Sequence, residues 1–297
     1  MATEKQYSFV SATRVGDSVG KVLGQDVFGA NVTLQGFIGN DPEVREMKDG
    51  RKVMNISIAL NNIGKKINGA IGIKEKAGET TWIRASIFDS EHVPAATRAE
   101  KVLKKGMLVA LNGYVKPEEY NNQLQLNMTV DQFKISWSKE KGKTVGGDYS
   151  FVSARKANKE GTAIVAFEGF IGKDPEVRVT PSGKEVLSFS VALNKVGNKL
   201  DYALGLKGDK KDVTWITVNV WDNDGYPLKS RAEKALKKGM AILGHGLMTA
   251  NESNGSTFYN MNLNDFEIVR GLGEKKEMFD AKKEIQVDDE PADDLPF

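Results

Sequence analysis

Two tandem small β-barrels in one all-β chain, each with a single short helix and the second followed by an acidic tail, is the architecture that the sequence predicts. Three observations carry it. The segment Gly36-Phe-Ile-Gly-Asn-Asp-Pro-Glu-Val-Arg45 returns at Gly169–Arg178 with only Asn40 exchanged for Lys173. From there a constant shift of 133 residues takes Phe37 to Phe170, Trp82 to Trp215, Arg98 to Arg231, Gly106 to Gly239 and Phe133 to Phe266. A match of this length and register marks a duplicated domain. Within each copy, short alternating apolar runs separated by turn signals read as strands.

In the first copy Val32–Gly39 is a strand that breaks at Asp41-Pro42. Val44–Met47 and Val53–Leu60 form a hairpin across Asp49-Gly50, a favourable turn dipeptide. The second of these alternates, with Met54, Ile56, Ile58 and Leu60 on one side and Asn55, Ser57 and Ala59 on the other. Asn61–Glu79 is rich in Gly and Lys and reads as a long exposed loop or hairpin. Thr80–Phe88 is the third strand. Thr97–Lys105 is the helix, with Glu100 and Lys104 at i,i+4 and Gly106 as its C-cap. Met107–Val115 and Leu124–Ser136 complete the set. Periodicity supports a small barrel or a sandwich; a helix between the third and fourth of five strands favours the OB-fold.

The phrase Tyr7-Ser-Phe-Val-Ser-Ala12 recurs as Tyr149-Ser-Phe-Val-Ser-Ala154, and the second copy reaches its Gly-Phe-Ile-Gly segment nine residues sooner. Residues 1–30 show no clear period, and the nine-residue difference places an insertion before Val32 in the first copy. The expected organisation is a first domain at 1–137, a linker at 138–148, a second domain at 149–270 and a tail at 271–297. The tail is expected to be partly helical around Lys275–Lys283, and its tip Asp288–Phe297 is expected to be disordered.

The 297 residues are 40% hydrophobic and 28% charged, the balance of a soluble globular protein, and no apolar run suits a membrane span. There are no cysteines, which excludes disulfides and thiolate metal sites and suits a reducing compartment. The beginning of the chain lacks the order of a secretory signal, so a cytoplasmic, nucleoid-associated location is expected. The net charge of +2 hides five acids and no base in Asp288–Phe297, without which the chain carries +7. That asymmetry fits either a polyanion partner for the body or a solvated surface with a solubilising end.

The third strand is the most informative. Ile83, Ala85 and Ile87 form a core row, leaving Trp82, Arg84, Ser86 and Phe88 on the opposite face. The second copy repeats this with Trp215, Thr217, Asn219 and Trp221. Large aromatics spaced by polar residues suit stacking of unpaired bases, worth about 1–3 kcal/mol per base; the alternative is burial against the long loop or a second subunit. Phe37 and Phe170 join that face or pack in the core. Tyr120 lies in the loop before the last strand, where the second copy has Ser253, followed by Phe258 and Tyr259. Arg45, Lys52, Lys65, Lys66 and Arg84, with Lys184, Lys195 and Lys199 in the second copy, fall on the same strands and loops and suit a phosphate-tracking groove. Only two histidines occur, His92 and His245, at non-equivalent positions. Asp41 with Glu43, and Asp174 with Glu176, flank prolines and read as turns. No catalytic constellation, metal site or cofactor motif is found.

These motifs resemble the bacterial single-stranded DNA-binding protein family. The residues that carry the resemblance are Gly-x-x-Gly-x-Asp-Pro-Glu-Val-Arg followed by Asn55-Ile-Ser-Ile-Ala59, Thr81-Trp82 with Phe88, and Leu103-Lys-Lys-Gly106 with Gly113. It covers both copies, about 32–133 and 165–266. It implies sequence-independent binding of single-stranded DNA, with Trp82, Phe88, Tyr120, Trp215 and Trp221 as stacking aromatics. The tip Asp293-Asp294-Leu295-Pro296-Phe297 resembles the family's docking element for replication, recombination and repair proteins. Two OB-folds per chain imply a homodimer. The chain departs from the family pattern at Ile63-Gly64 and Val196-Gly197, where a ring is expected, and at Ser253, so stacking shifts to Phe37, Phe170 or Phe258. The Gly/Gln/Pro-rich segment usual before the tip is nearly absent. Rival readings are an RNA-binding OB protein and an assembly protein that uses its aromatic faces as interfaces.

Overall fold

The computed structural model describes residues 8–138, 150–157, 159–208, 211–223, 225–253 and 255–272. The linker, the tail and the acidic tip anticipated above fall wholly or almost wholly outside them. Two seven-stranded sheets account for most of the described residues, one from each copy of the repeat.

In the first copy the strands are β1 (Phe9–Val22), β2 (Gln25–Ile38), β3 (Glu43–Glu46), β4 (Lys52–Asn61), β5 (Thr80–Phe88), β6 (Leu108–Tyr120) and β7 (Gln123–Trp137), with α1 (Lys66–Ile71) and α2 (Ala95–Glu100) between them. They run in the order β1-β2-β6-β7-β5-β4-β3, and a further β2–β4 pairing closes the sheet. The barrel is therefore β2, β4, β5, β7 and β6, with β5 and β7 parallel and the other neighbours antiparallel. This is the five-stranded OB arrangement. In the second copy β8 (Val152–Lys156), β9 (Thr162–Ile171), β10 (Glu176–Val179), β11 (Glu185–Asn194), β12 (Val213–Val220), β13 (Ala241–Ser253) and β14 (Ser256–Arg270), with α3 (Lys199–Leu204) and α4 (Leu228–Ala235), repeat it.

Alternation builds each core. Ile56, Ile58, Ile83, Ala85 and Ile87 point inward with Leu34, Ile38, Val109 and Leu111, all at most 1% exposed. The β3–β4 hairpin turns at Asp49-Gly50 as expected, with the Asp49 carboxylate accepting the Arg51 backbone N–H at 3.1 Å.

The structure departs from the sequence expectations in three places. Residues 9–30 form a long hairpin, β1 with the start of β2, where no period was visible; register shifts after Val15 and Ser18 explain why alternation fails there. Its counterpart β8–β9 is shorter, so the nine extra residues lengthen this hairpin. Second, Asn61–Glu79 is not an exposed loop: it contains α1, and Ile63, Ile67, Ile71 and Ile73 enter the core at 3% exposure or less. Each domain thus has two short helices where one was expected. Third, the helix read as Thr97–Lys105 is shifted and short. α2 follows Pro94 and is capped at Lys101, and Glu100 takes Lys52 at 2.7 Å as its partner across to β4.

The two barrels meet along β1, β2, β6 and β7 of one copy and β8, β9, β13 and β14 of the other. Phe9, Phe151, Ala110, Ala166 and Leu243 form a small apolar cluster between them. No helix among the described residues is long and apolar enough to cross a membrane.

Candidate nucleic-acid interface

Register decides which aromatics share a face. Phe37 pairs with Ala59, and Ala59 with Trp82, so the three stand in one row on the outside of the barrel. The next row inward, Ile38–Ile58–Ile83, is fully buried. On its other side Phe37 pairs with Leu108 and Leu108 with Trp137. The outer row therefore reads Trp137, Leu108, Phe37, Ala59, Trp82. Trp137 was missed by sequence reasoning, since strict alternation from Ile135 would turn it inward. An extra residue at Ser136 shifts the register and turns Trp137 outward.

The second copy holds Arg270, Ala241, Phe170, Ala192 and Trp215 in the same row. There Arg270 lies over the Phe170 ring, 5.4 Å from its centroid, which replaces the indole of Trp137 by a cation on a ring.

The repeated Gly-Phe-Ile-Gly segment now has a physical reason. A Cβ at Gly39 would overlap the six-membered ring of Trp82, and one at Gly172 that of Trp215. Each glycine gives the indole a flat seat on bare backbone. Asn40 adds a second fixture in the first copy, its Oδ1 accepting Ser57 Oγ–H at 2.6 Å; Lys173 stands there in the second.

Around these rows lie polar residues. Ser57, Arg84 and Asn127 are register neighbours, as are Asn55, Ser86 and Thr129; Ser86 donates to Asn55 at 2.7 Å. In the second copy Ser190, Thr217 and Asn260 take the first of these positions. Trp221 donates its indole N–H to Asn262 at 3.2 Å, which fixes the ring against β14. An open groove of about 290 Å³ runs between Trp215 and Phe258, with Lys211, Ser190, Thr217 and Thr257 in its walls. Behind it the buried Tyr259 donates to Asp201 at 2.5 Å, and burial, then that carboxylate, push its phenol pKa well up, so it stays protonated and holds β14 in place.

The strand face thus gathers Phe37, Trp82, Arg84 and Phe88 in the first copy, and Phe170, Trp215, Trp221 and Phe258 in the second. Trp215 and Phe258 are each 55% exposed, Phe88 and Tyr120 41%, and Phe170 38%. Trp82 is only half-buried in spite of its seat. Tyr120 ends β6 at the hairpin tip, with Asn121 and Asn122 in left-handed turn geometry beside it.

The cations divide. Arg84, Lys65, Lys184 and Lys195 are exposed on strands, turns and loops. Arg45 lies beside Glu43 at 3.2 Å and Lys52 is paired with Glu100. Lys66 and Lys199 are placed elsewhere: Lys66 bonds Asp265 at 2.6 Å, and Lys199 reaches Gln132 at 3.3 Å and the Val152 carbonyl at 3.2 Å. Both contacts join the two domains, and desolvation lowers the Lys199 pKa. The acidic turns are structural. Asp174 accepts the Lys238 backbone N–H at 2.8 Å, while Glu43 and Glu176 each face the arginine two residues on.

The wild-type single-stranded DNA binding protein from Thermus aquaticus aligns over 83% of this chain and 97% of its own, at 16% identity and a TM-score of 0.26. Mitochondrial single-stranded DNA binding protein from S. cerevisiae aligns over 36% of this chain and 94% of its own, at 12% identity and 0.27. Two single-stranded DNA-binding proteins of Neisseria meningitidis, from serogroups A and B, are each 33% identical over 99 residues, which are 33% of this chain and 52% of theirs. The chain spans about half the length of these curated relatives. Residues 30–136 and 163–263, one stretch in each barrel and together well over half of the sequence, match the model of the single-strand binding protein family, and the chain belongs to that family.

Proposed function

We propose that this protein binds single-stranded DNA without regard to sequence, stacking bases on the aromatic rows of both barrels while the neighbouring cations follow the phosphates. The observation that carries the reading is the outer row itself. In a member of this family, each copy sets a phenyl ring and an indole on either side of an alanine across three adjacent strands, with the indole seated on a glycine and polar side chains around it. Every base offers a π-face, so such a surface holds a strand without reading its letters. The binding residues on this reading are Phe37, Trp82, Arg84, Phe88 and Tyr120 in the first copy, and Phe170, Trp215, Trp221 and Phe258 in the second. Arg45, Lys52, Lys65, Lys184 and Lys195 serve the backbone.

The protein acts by occupancy, not by chemistry: it covers exposed strands during replication, recombination and repair. Asp293, Asp294, Leu295, Pro296 and Phe297 recruit partner proteins, and two chains assemble four barrels as a homodimer. The family resemblance supports these roles.

Titration with poly-dT tests the central claim. Tryptophan fluorescence is expected to quench on binding, and affinity to fall steeply with salt. Neither quenching nor binding at low salt would refute it. Competition with poly-rU separates the RNA reading, which expects the RNA to win. Removing Pro296 and Phe297 is expected to abolish partner recruitment and leave DNA affinity unchanged; unchanged recruitment sinks the tail's role.

A further inference from the structure

The barrels touch through polar contacts that come in pairs at equivalent positions of the repeat, yet the chemistry differs within each pair. Lys66 to Asp265, at 2.6 Å, is answered by Lys199 to Gln132 at 3.3 Å. Asn264 donates to Thr13 Oγ1 at 3.0 Å; at the mirrored place Arg155 forks onto Asp131 with its closest contact at 2.8 Å. Lys134 meets Glu168 at 2.6 Å, both side chains largely buried, and the mirrored positions hold Glu267 and Gln35.

The centre is more selective still. His245 is fully buried and lies between Ser11 Oγ at 2.8 Å and Asn31 Oδ1 at 3.2 Å, both from the other barrel. Asn31 Oδ1 can only accept, so Nε2 carries the proton and Nδ1 accepts from Ser11. Asn112, the counterpart of His245, donates to the same Asn31 oxygen at 2.8 Å and to Thr33 at 2.9 Å.

We propose that this face is a heterotypic recognition surface: each barrel selects the other copy over a second copy of itself, whether or not a peptide joins them. Exchanging the halves shows why. Two second copies would set Glu267 against Glu168, and would put the His245 N–H opposite Ile164, which stands at the Asn31 position and accepts nothing. A buried donor without an acceptor and two facing carboxylates both oppose pairing. The one gain, Lys199 against Asp265, is small, because Asp265 already accepts Arg231 at 2.6 Å and Tyr226 at 3.0 Å within its own barrel. Two first copies would set Lys134 against Gln35, Asp131 against Thr13 and Lys66 against Gln132, so each charge loses its partner. Only the cross pairing satisfies all of these positions.

The test cuts the folded chain. A protease site placed within residues 139–149 yields halves of different mass, which are then unfolded in urea, refolded together and weighed by native mass spectrometry. The cross pair is expected in at least tenfold excess over either like pair; a smaller excess overturns the proposal. Lys134→Glu is expected to reduce that excess, and Lys134→Glu with Glu168→Lys to restore it. Should the halves fail to refold, thermal melting of the uncut protein decides. Recovery of the melting temperature in the double variant supports the charge match, and simple addition of the two single losses overturns it.

Discussion

The aromatic faces of the two barrels come from one ancestral pattern and now present different surfaces. Both keep an indole seated on glycine with a phenyl ring beyond it. The first copy adds Trp137 at one end of the row, Arg84 beside it and Tyr120 at the hairpin tip. The second has Arg270, Thr217 and Ser253 at those positions and instead raises Phe258 beside Trp215, where the first has Gln125. One face spreads its rings, with Arg84 beside them; the other sets Arg270 over Phe170 and gathers two open rings around a groove. Duplication preserved the seat and let its surroundings drift.

A second contrast, at the junction, has the largest expected effect. His245 occupies the place of Asn112, and burial pushes its pKa down to about 4 against a weaker opposing pull from Asp265. The folded state holds the ring neutral while the unfolded chain protonates it near pH 6.5. Stability is therefore complete above that value, declines as pH falls toward 4, and levels off below it, a loss on the order of 3 kcal/mol. His245→Asn, which copies the first barrel, is expected to flatten that limb of the stability curve measured by urea unfolding. An unchanged pH dependence would assign the effect to other groups.

The faces themselves can be compared by removing rings. Trp215→Ala is expected to weaken oligo-dT binding by about 2 kcal/mol and Trp82→Ala by less, since Trp215 is the more open platform. Equal losses in fluorescence-anisotropy titrations would erase the proposed difference. Gly172→Ala and Gly39→Ala, which add a methyl under each indole, are expected to cost about 1 kcal/mol of binding each without unfolding the barrel. Intrinsic tryptophan emission in the free protein should shift at the same time, because the ring must leave its seat. The smallest effect is expected from Arg84→Ala. It should reduce the salt slope of binding by about one phosphate contact, whereas Thr217→Ala leaves the slope unaltered.

Much of this was legible beforehand, for identifiable reasons. The barrel followed from alternation in Val53–Leu60 and Thr80–Phe88, where strands are regular and half-buried. The outward turn of Trp82, Phe88, Trp215 and Trp221 followed from the same rule. What stayed hidden depends on irregular backbone or on the other domain. Trp137 is turned by a bulge at Ser136. The β1–β2 hairpin changes register along its length. Helix α1 is too short to show a period, and its isoleucines have meaning only against a barrel already closed. Lys66 and Lys199 read as loop cations because nothing local announces Asp265 or Gln132, which lie in the opposite copy.

The long β1–β2 hairpin has a consequence for the arm that carries Tyr120. Near its turn, the Leu23 backbone N–H donates to Glu119 at 2.7 Å, and Gln25 accepts the Lys74 N–H at 3.3 Å. The end of the β6–β7 arm is thus tied to the hairpin on one side, and the hairpin to the segment after α1 on the other. Ordering a free hairpin tip around a ligand would cost conformational entropy at the moment of binding, about 1–2 kcal/mol for each residue fixed. In the first barrel part of that ordering is already complete in the free protein, and on the proposed reading Tyr120 would meet a base from a held position. The shorter β8–β9 hairpin lacks those nine residues, so the second barrel's tip at Ser253 is without the same brace.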